Sequence, residues 1–142
     1  MKKTLSLILT LMLALGCVFS LASCINADIA GTYELDSFSG SITAGGEVTE
    51  LPSDTFEYYT MIFNDDGTGV EKAKSAFFTG GGEEEKNFEW ELDGTKLYVS
   101  YKEFGVTITE EATIENGVIT YEMNQVVAEG VTVYIKGVFK KQ

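Results

Sequence analysis

Residues 87 to 94 read Asn-Phe-Glu-Trp-Glu-Leu-Asp-Gly. Phe88, Trp90 and Leu92 alternate with Asn87, Glu89 and Glu91, and the run stops at the turn pair Asp93-Gly94. A period of two puts three large apolar side chains on one face and polar ones on the other, the signature of a half-buried strand. The pattern recurs along the chain. Tyr33 and Leu35 share a face within residues 31 to 36. Residues 56 to 63 are apolar on both faces and end in Asn64-Asp65-Asp66-Gly67, and residues 68 to 76 read as a weaker, polar strand. Leu97, Val99 and Tyr101 share a face, as do Val106, Ile108, Ala112 and Ile114, before the hairpin signal Asn116-Gly117. Ile119, Tyr121 and Met123 follow, and Val131, Val133, Ile135 and Phe139 line one side of the last strand. These are about eight strands joined mostly by short turns. They predict an all-β, antiparallel up-and-down meander that closes into a small barrel, which removes exposed sheet edges. The only proline is Pro52, and no stretch after Ala30 has a helical apolar period. At most one short helix is expected, within residues 38 to 55, the one long connection.

The first residues follow a different logic. Met1-Lys2-Lys3 is basic, residues 5 to 15 are almost wholly apolar, and small residues lead to Ala22-Ser23-Cys24. A basic start, an apolar run and a small-residue region are the parts of a secretory signal peptide. An uncleaved N-terminal anchor is the rival reading, with Lys2-Lys3 as its cytoplasmic flank. Leu21-Ala22-Ser23-Cys24 resembles the lipobox of bacterial lipoproteins. That resemblance implies a diacylglyceryl group on the Cys24 sulfur and cleavage just before it. Cys17 lies in a poorer match and falls on the signal side of the cut. Two acyl chains anchor stably where one does not. Residues 1 to 23 are then signal peptide, 24 to 30 the lipidated cysteine and a short tether, and 31 to 142 the barrel domain.

A second resemblance rests on the order of three motifs. Gly31-x-Tyr33 opens the first strand, Ile62-Phe63-Asn64-Asp65-Asp66-Gly67-Thr68 makes a turn, and Phe88 to Leu97 makes a hairpin around Trp90 and Asp93-Gly94. Together they look like the small bacterial lipocalin-like lipoproteins, over most of residues 30 to 140. Tyr33 stands where lipocalins proper carry Trp, and the chain has no Arg. The resemblance implies an exported domain, held outside the cytoplasm by its lipid, that binds a small apolar or amphipathic ligand.

Composition excludes several chemistries. The chain has no His, and its two cysteines are Cys17 and Cys24. A Cys/His zinc cluster, a His base for a nucleophile and a disulfide framework are therefore not expected in the mature part. From Cys24 onward, eight lysines face 22 acidic residues, a net charge of about −14. Such a surface repels nucleic-acid phosphates and anionic lipid headgroups. The only expected non-protein group is the lipid on Cys24, and it is the expected membrane contact. Acids are plentiful, but nothing sets two of them across a cleft, so no enzyme is proposed.

The candidate ligand pocket follows from the inward faces: Tyr33, Tyr59, Met61, Phe63, Trp90, Tyr101, Tyr121 and Met123. A barrel of eight strands is wide enough to hold one small ligand or to fill with side chains. Both readings stand. In the first, Tyr hydroxyls orient a guest in an apolar pocket. In the second, the core is packed and the domain is a surface module binding another envelope protein. Phe77 and Phe78 beside Gly80, Gly81 and Gly82 suggest a mobile aromatic lip, or simply a strand end and a solvated hairpin loop. Asn64 to Thr68 is oxygen-rich like a calcium loop, yet it lacks the longer spacing and closing Glu of one. It reads as a tight turn. Glu110 is in phase with inward Val106, Ile108, Ala112 and Ile114. Taken literally it points into the barrel; a β-bulge or strand end near Thr109-Glu110-Glu111, which turns it outward, is the preferred account.

Overall fold

The computed structural model describes residues 29–142. The expected signal peptide and Cys24 lie outside the described residues. Among the described residues nine antiparallel strands follow one another: β1 (Gly31–Ala44), β2 (Glu47–Leu51), β3 (Tyr58–Phe63), β4 (Thr68–Lys74), β5 (Glu83–Asp93), β6 (Lys96–Glu103), β7 (Val106–Glu115), β8 (Val118–Ala128) and β9 (Val131–Lys141). Neighbours in sequence pair in order from β3 to β9, and β1 pairs with both β3 and β9. Eight strands thus form a closed barrel, with β2 as a short ninth strand on the far half of β1.

The expected long connection over residues 38 to 55 is corrected here. Most of it is sheet: β1 runs on to Ala44, and β2 folds back along it. Gly45-Gly46 makes the bend, with φ of 59° and 86°. Two consecutive positive φ angles fit the right-handed twist of a tight hairpin, and glycine adopts them without steric cost. The small and hydroxylated residues of 39 to 44 look like a loop in sequence. Their register against Val131 to Lys136 of β9 makes them strand.

The two ends of the barrel differ. At the end where β1 begins, Tyr33, Phe63, Trp90 and Ile29 are all buried. The Tyr33 hydroxyl donates to the Ile29 carbonyl at 2.9 Å. Trp90 Nε1 donates to the carbonyls of Asn64 and Thr68 at 3.1 and 3.0 Å. Tyr33 and Phe63 meet edge to face at 5.3 Å, and Phe63 and Trp90 at 5.8 Å. Aromatic pairs in this geometry each contribute about 0.5–1.5 kcal/mol beyond burial. This end is plugged. The Asn64–Thr68 turn closes it as an ordinary turn, with the Thr68 amide and hydroxyl both donating to Asp66 Oδ1, at 2.9 and 2.6 Å.

At the other end the wall is incomplete. β5 pairs with β6 only from Glu89 to Asp93, so Glu83–Phe88 has no β6 partner. β7 pairs with β8 only over Ala112–Glu115. The outer part of the β6–β7 hairpin therefore bonds along its own ladder, with a gap on each side.

Candidate functional site

Small residues at inward positions decide whether a barrel of this size is full. Ala73 on β4 and Ala112 on β7 face the interior where a larger side chain would fill space, and Gly137 on β9 lines it beside the Phe139 ring. The result is a cavity of about 280 Å³ above the plug, lined among others by Leu35, Leu97, Val99, Ile119, Ile135 and Phe139. Its mouth lies at the end opposite the plug, beside the β4–β5 connection.

Of the residues expected to form the pocket, Tyr59, Met61, Tyr101, Tyr121 and Met123 line this cavity. Tyr33, Phe63 and Trp90 do not; they form the plug beneath it. Alternation gives the face on which a side chain lies, but not its height along the barrel axis.

The segment with Phe77, Phe78, Gly80, Gly81 and Gly82 sits at the mouth. It is organised by Ser75, which is 1% exposed. The Ser75 hydroxyl donates to the Thr55 carbonyl at 2.7 Å and accepts from the amides of Phe77 and Phe78 at 3.2 and 3.1 Å. The Gly81 amide donates to the Ser75 carbonyl at 3.0 Å. Phe78 stacks on Phe56 at 5.3 Å and meets Phe38 edge to face at 6.4 Å. These three rings form an aromatic rim on one side of the opening.

The other side is acidic. Glu71 on β4 accepts the hydroxyl protons of Tyr59 and Tyr101 on the same oxygen, Oε2, each at 2.8 Å. Glu110 on β7 accepts a hydrogen bond from Tyr121. The expected outward turn of Glu110 is overturned: β7 pairs with β6 in unbroken register, Val99 opposite Glu110, and the carboxylate lines the cavity. Its phase with the apolar residues holds because Tyr121 supplies a donor inside the barrel, so the buried carboxylate is not left without a partner. Burial raises the Glu110 carboxyl above the usual range, the Tyr121 hydrogen bond opposes this, and the nearby charge of Glu71 adds to it. Burial also raises the phenols of Tyr59, Tyr101 and Tyr121, with the neighbouring carboxylates acting in the same direction.

Sequence reasoning missed Glu71. The signal for it is the inward row of β4, Gly69-Glu71-Ala73: one acid between two small residues on a strand whose partners present Tyr59 and Phe88. A second hollow of about 140 Å³ lies against the same groups, lined by Glu71, Glu110, Tyr59 and Tyr101 together with Lys86, Glu103 and Ile108. Lys86 is held by Glu103 at 2.8 Å and Glu84 at 3.2 Å. Among the described residues, no group of three or more His, Cys, Asp or Glu is placed to hold a metal ion.

No protein-family model matches the sequence. No curated protein matches it. Two solved structures are similar at low identity. One is a lipocalin-like protein from Bacteroides uniformis, 17% identical, with 81% of this chain and 99% of that one covered and a TM-score of 0.41. The other is an uncharacterized protein from Bacteroides eggerthii, 13% identical, with 80% and 99% covered and a TM-score of 0.41.

Proposed function

We propose that this chain is a lipid-anchored, extracytoplasmic binding protein whose barrel takes up a small apolar or amphipathic molecule without chemically changing it. The observation that carries the reading is the 280 Å³ cavity, apolar on most of its wall and open at one end. An engineered dry cavity of about 150 Å³ already holds benzene, so this one suits a body of one to two rings or a short alkyl chain. The test is titration of the purified protein with an uncharged naphthalene fluorophore. Saturable binding of one molecule per chain is expected, and no saturable binding refutes the reading.

The anchor rests on Leu21-Ala22-Ser23-Cys24. The position of Ile29 at the plugged end adds an orientation to it. Cys24 lies five residues before Ile29, and five extended residues span roughly 17 Å at most. A lipid on Cys24 holds the plug toward the membrane and the mouth away from it. Replacing Cys24 with Ala should release the protein from membranes with its thermal unfolding unchanged. Continued membrane retention of that variant favours the uncleaved anchor.

A second reading has its own observation. Phe104 at the tip of the β6–β7 hairpin is fully exposed, and Phe77, Val106, Val126 and Val127 around the mouth are each more than half exposed. A rim of this kind suits contact with another envelope protein. Under this reading Phe104→Ser abolishes capture of a partner and leaves fluorophore binding intact; unchanged capture removes the rim from consideration.

A further inference from the structure

The cavity described above is selective in its polar chemistry. Its carboxylates are those of Glu71 and Glu110, where the apolar chamber meets the smaller polar hollow, and that of Glu84, which is paired with Lys86. The phenolic protons of Tyr59 and Tyr101 are committed to Glu71, and that of Tyr121 to Glu110. What these five groups still offer a guest is lone pairs and negative charge. Lys86, which lines the polar hollow, is paired with Glu84 and Glu103 and acts on Glu110 through its charge without an ion pair to it. None of the ion pairs among the described residues reaches Glu71 or Glu110.

We infer that the preferred guest is an organic cation, an ammonium group on a compact apolar body, its charge between Glu71 and Glu110 and its body against Leu97, Val99 and Ile119. This inference rests on the cavity being a ligand site. An anionic amphipath entering the same chamber brings a third negative charge into a desolvated space, which is strongly unfavourable. A neutral apolar guest removes water from two carboxylates and gives nothing in return. An ammonium supplies the donors that the cluster lacks, and charge-assisted hydrogen bonds are about twice as strong as neutral ones. Tyrosine rings lining the chamber add attraction for a cation placed over their faces.

The experiment uses the full chain in nanodiscs of uncharged lipid, with empty discs as the blank. The bound naphthalene fluorophore is displaced by three probes of similar shape: 3-phenylpropylammonium, butylbenzene and 3-phenylpropanoate. The ammonium is expected to displace at a concentration roughly tenfold lower than butylbenzene, the scale of one hydrogen bond to a charged group. The carboxylate is expected to be the weakest. Glu110→Gln and Glu71→Gln should each narrow the preference for the ammonium over butylbenzene, the ammonium binding more weakly and butylbenzene at least as well; circular dichroism confirms that each variant folds. Equal displacement by ammonium and butylbenzene overturns the inference while the cavity reading stands. So does a preference that survives both substitutions. The ranking on the unaltered protein decides the matter even where a variant fails to fold. Absence of fluorophore binding overturns the cavity reading and this inference together.

Discussion

Ala112→Leu separates a ligand chamber from an ordinary packed core by the sign of its effect. Ala112 is 6% exposed, lies opposite Leu97 on one side and Tyr121 on the other, and faces the cavity. In a core packed to normal density, three added carbons force neighbouring side chains off their rotamers and cost about 1–3 kcal/mol. Here the added carbons enter empty space. Each buried methylene contributes about 0.8 kcal/mol, so the variant should be more stable by up to about 2 kcal/mol. For a domain of this size such a gain raises the thermal midpoint by about 4–8 °C. Leu97→Ala is the control: Leu97 is fully buried on the facing strand, and its truncation should cost about 2–5 kcal/mol. The assay is urea unfolding followed by Trp90 fluorescence, with fluorophore binding measured in parallel. Binding should weaken in Ala112→Leu because the chamber is smaller. A variant that is destabilised, with binding unaltered, refutes the cavity.

Three further outcomes follow from other parts of the barrel. Burial raises the Glu110 carboxyl, so the folded state holds that proton to higher pH than the unfolded state; stability should fall as pH rises from about 4.5 through the folded value. Glu110→Gln should abolish this decline and raise the urea midpoint at pH 7.5 relative to the parent, whereas equal midpoints at both pH 5 and pH 7.5 count against a buried carboxyl. The phenols of Tyr59, Tyr101 and Tyr121 are raised by burial, so their contribution is intact below about pH 10 and is lost above it as the unfolded chain ionises. Tyr101→Phe should lower the slope of stability against pH there by about 1.4 kcal/mol per pH unit; a phenolate absorbance step near pH 10 in the folded protein that Tyr101→Phe removes contradicts it. Gly69→Ala should cost about 2–3 kcal/mol in thermal unfolding, because a Cβ there would lie 2.2 Å from the Phe88 ring and 2.6 Å from the Ile62 carbonyl oxygen.

Most of the barrel wall is legible in the sequence because one physical rule repeats: large apolar residues at every second position, then a turn that only a few residue types make. Phe88-Trp90-Leu92 and Leu97-Val99-Tyr101 need no tertiary knowledge to be placed on inward faces. The far half of β1 fails the rule. Gly40, Ser41 and Thr43 carry no strand signal of their own, and their pairing with β9 joins residues about a hundred positions apart. Glu110 fails for a related reason. Its phase points inward, but whether a carboxylate can stay there depends on a hydroxyl from β8. The cavity itself is a property of omission. Ala73 and Ala112 matter for the volume they leave, and a small residue in one strand says nothing until the opposite strands are known to be small at the same height.

The plug and the mouth are held by different kinds of bond, and this bears on how a guest enters. At the plug every neighbouring pair of strands shares a backbone ladder, so opening it means breaking cooperative sheet structure. At the mouth the β6–β7 hairpin has gaps on both sides, and the contacts across them come from side chains. Glu103 reaches Lys86 across the β5 gap, Tyr101 reaches Glu71 on β4, and Glu110 accepts from Tyr121 across the β8 gap. Exposed ion pairs of the Lys86–Glu103 type contribute at most about 1 kcal/mol. The two hydrogen bonds to carboxylates contribute roughly 1.5–3 kcal/mol each. These are smaller energies than those of a ladder with its underlying aromatic core. The groups that hold the hairpin in place are also those proposed above to face an organic cation. A guest that competes for Glu71 and Glu110 therefore loosens the same contacts that stand across its path, which ties ligand charge to the ease of entry as well as to affinity.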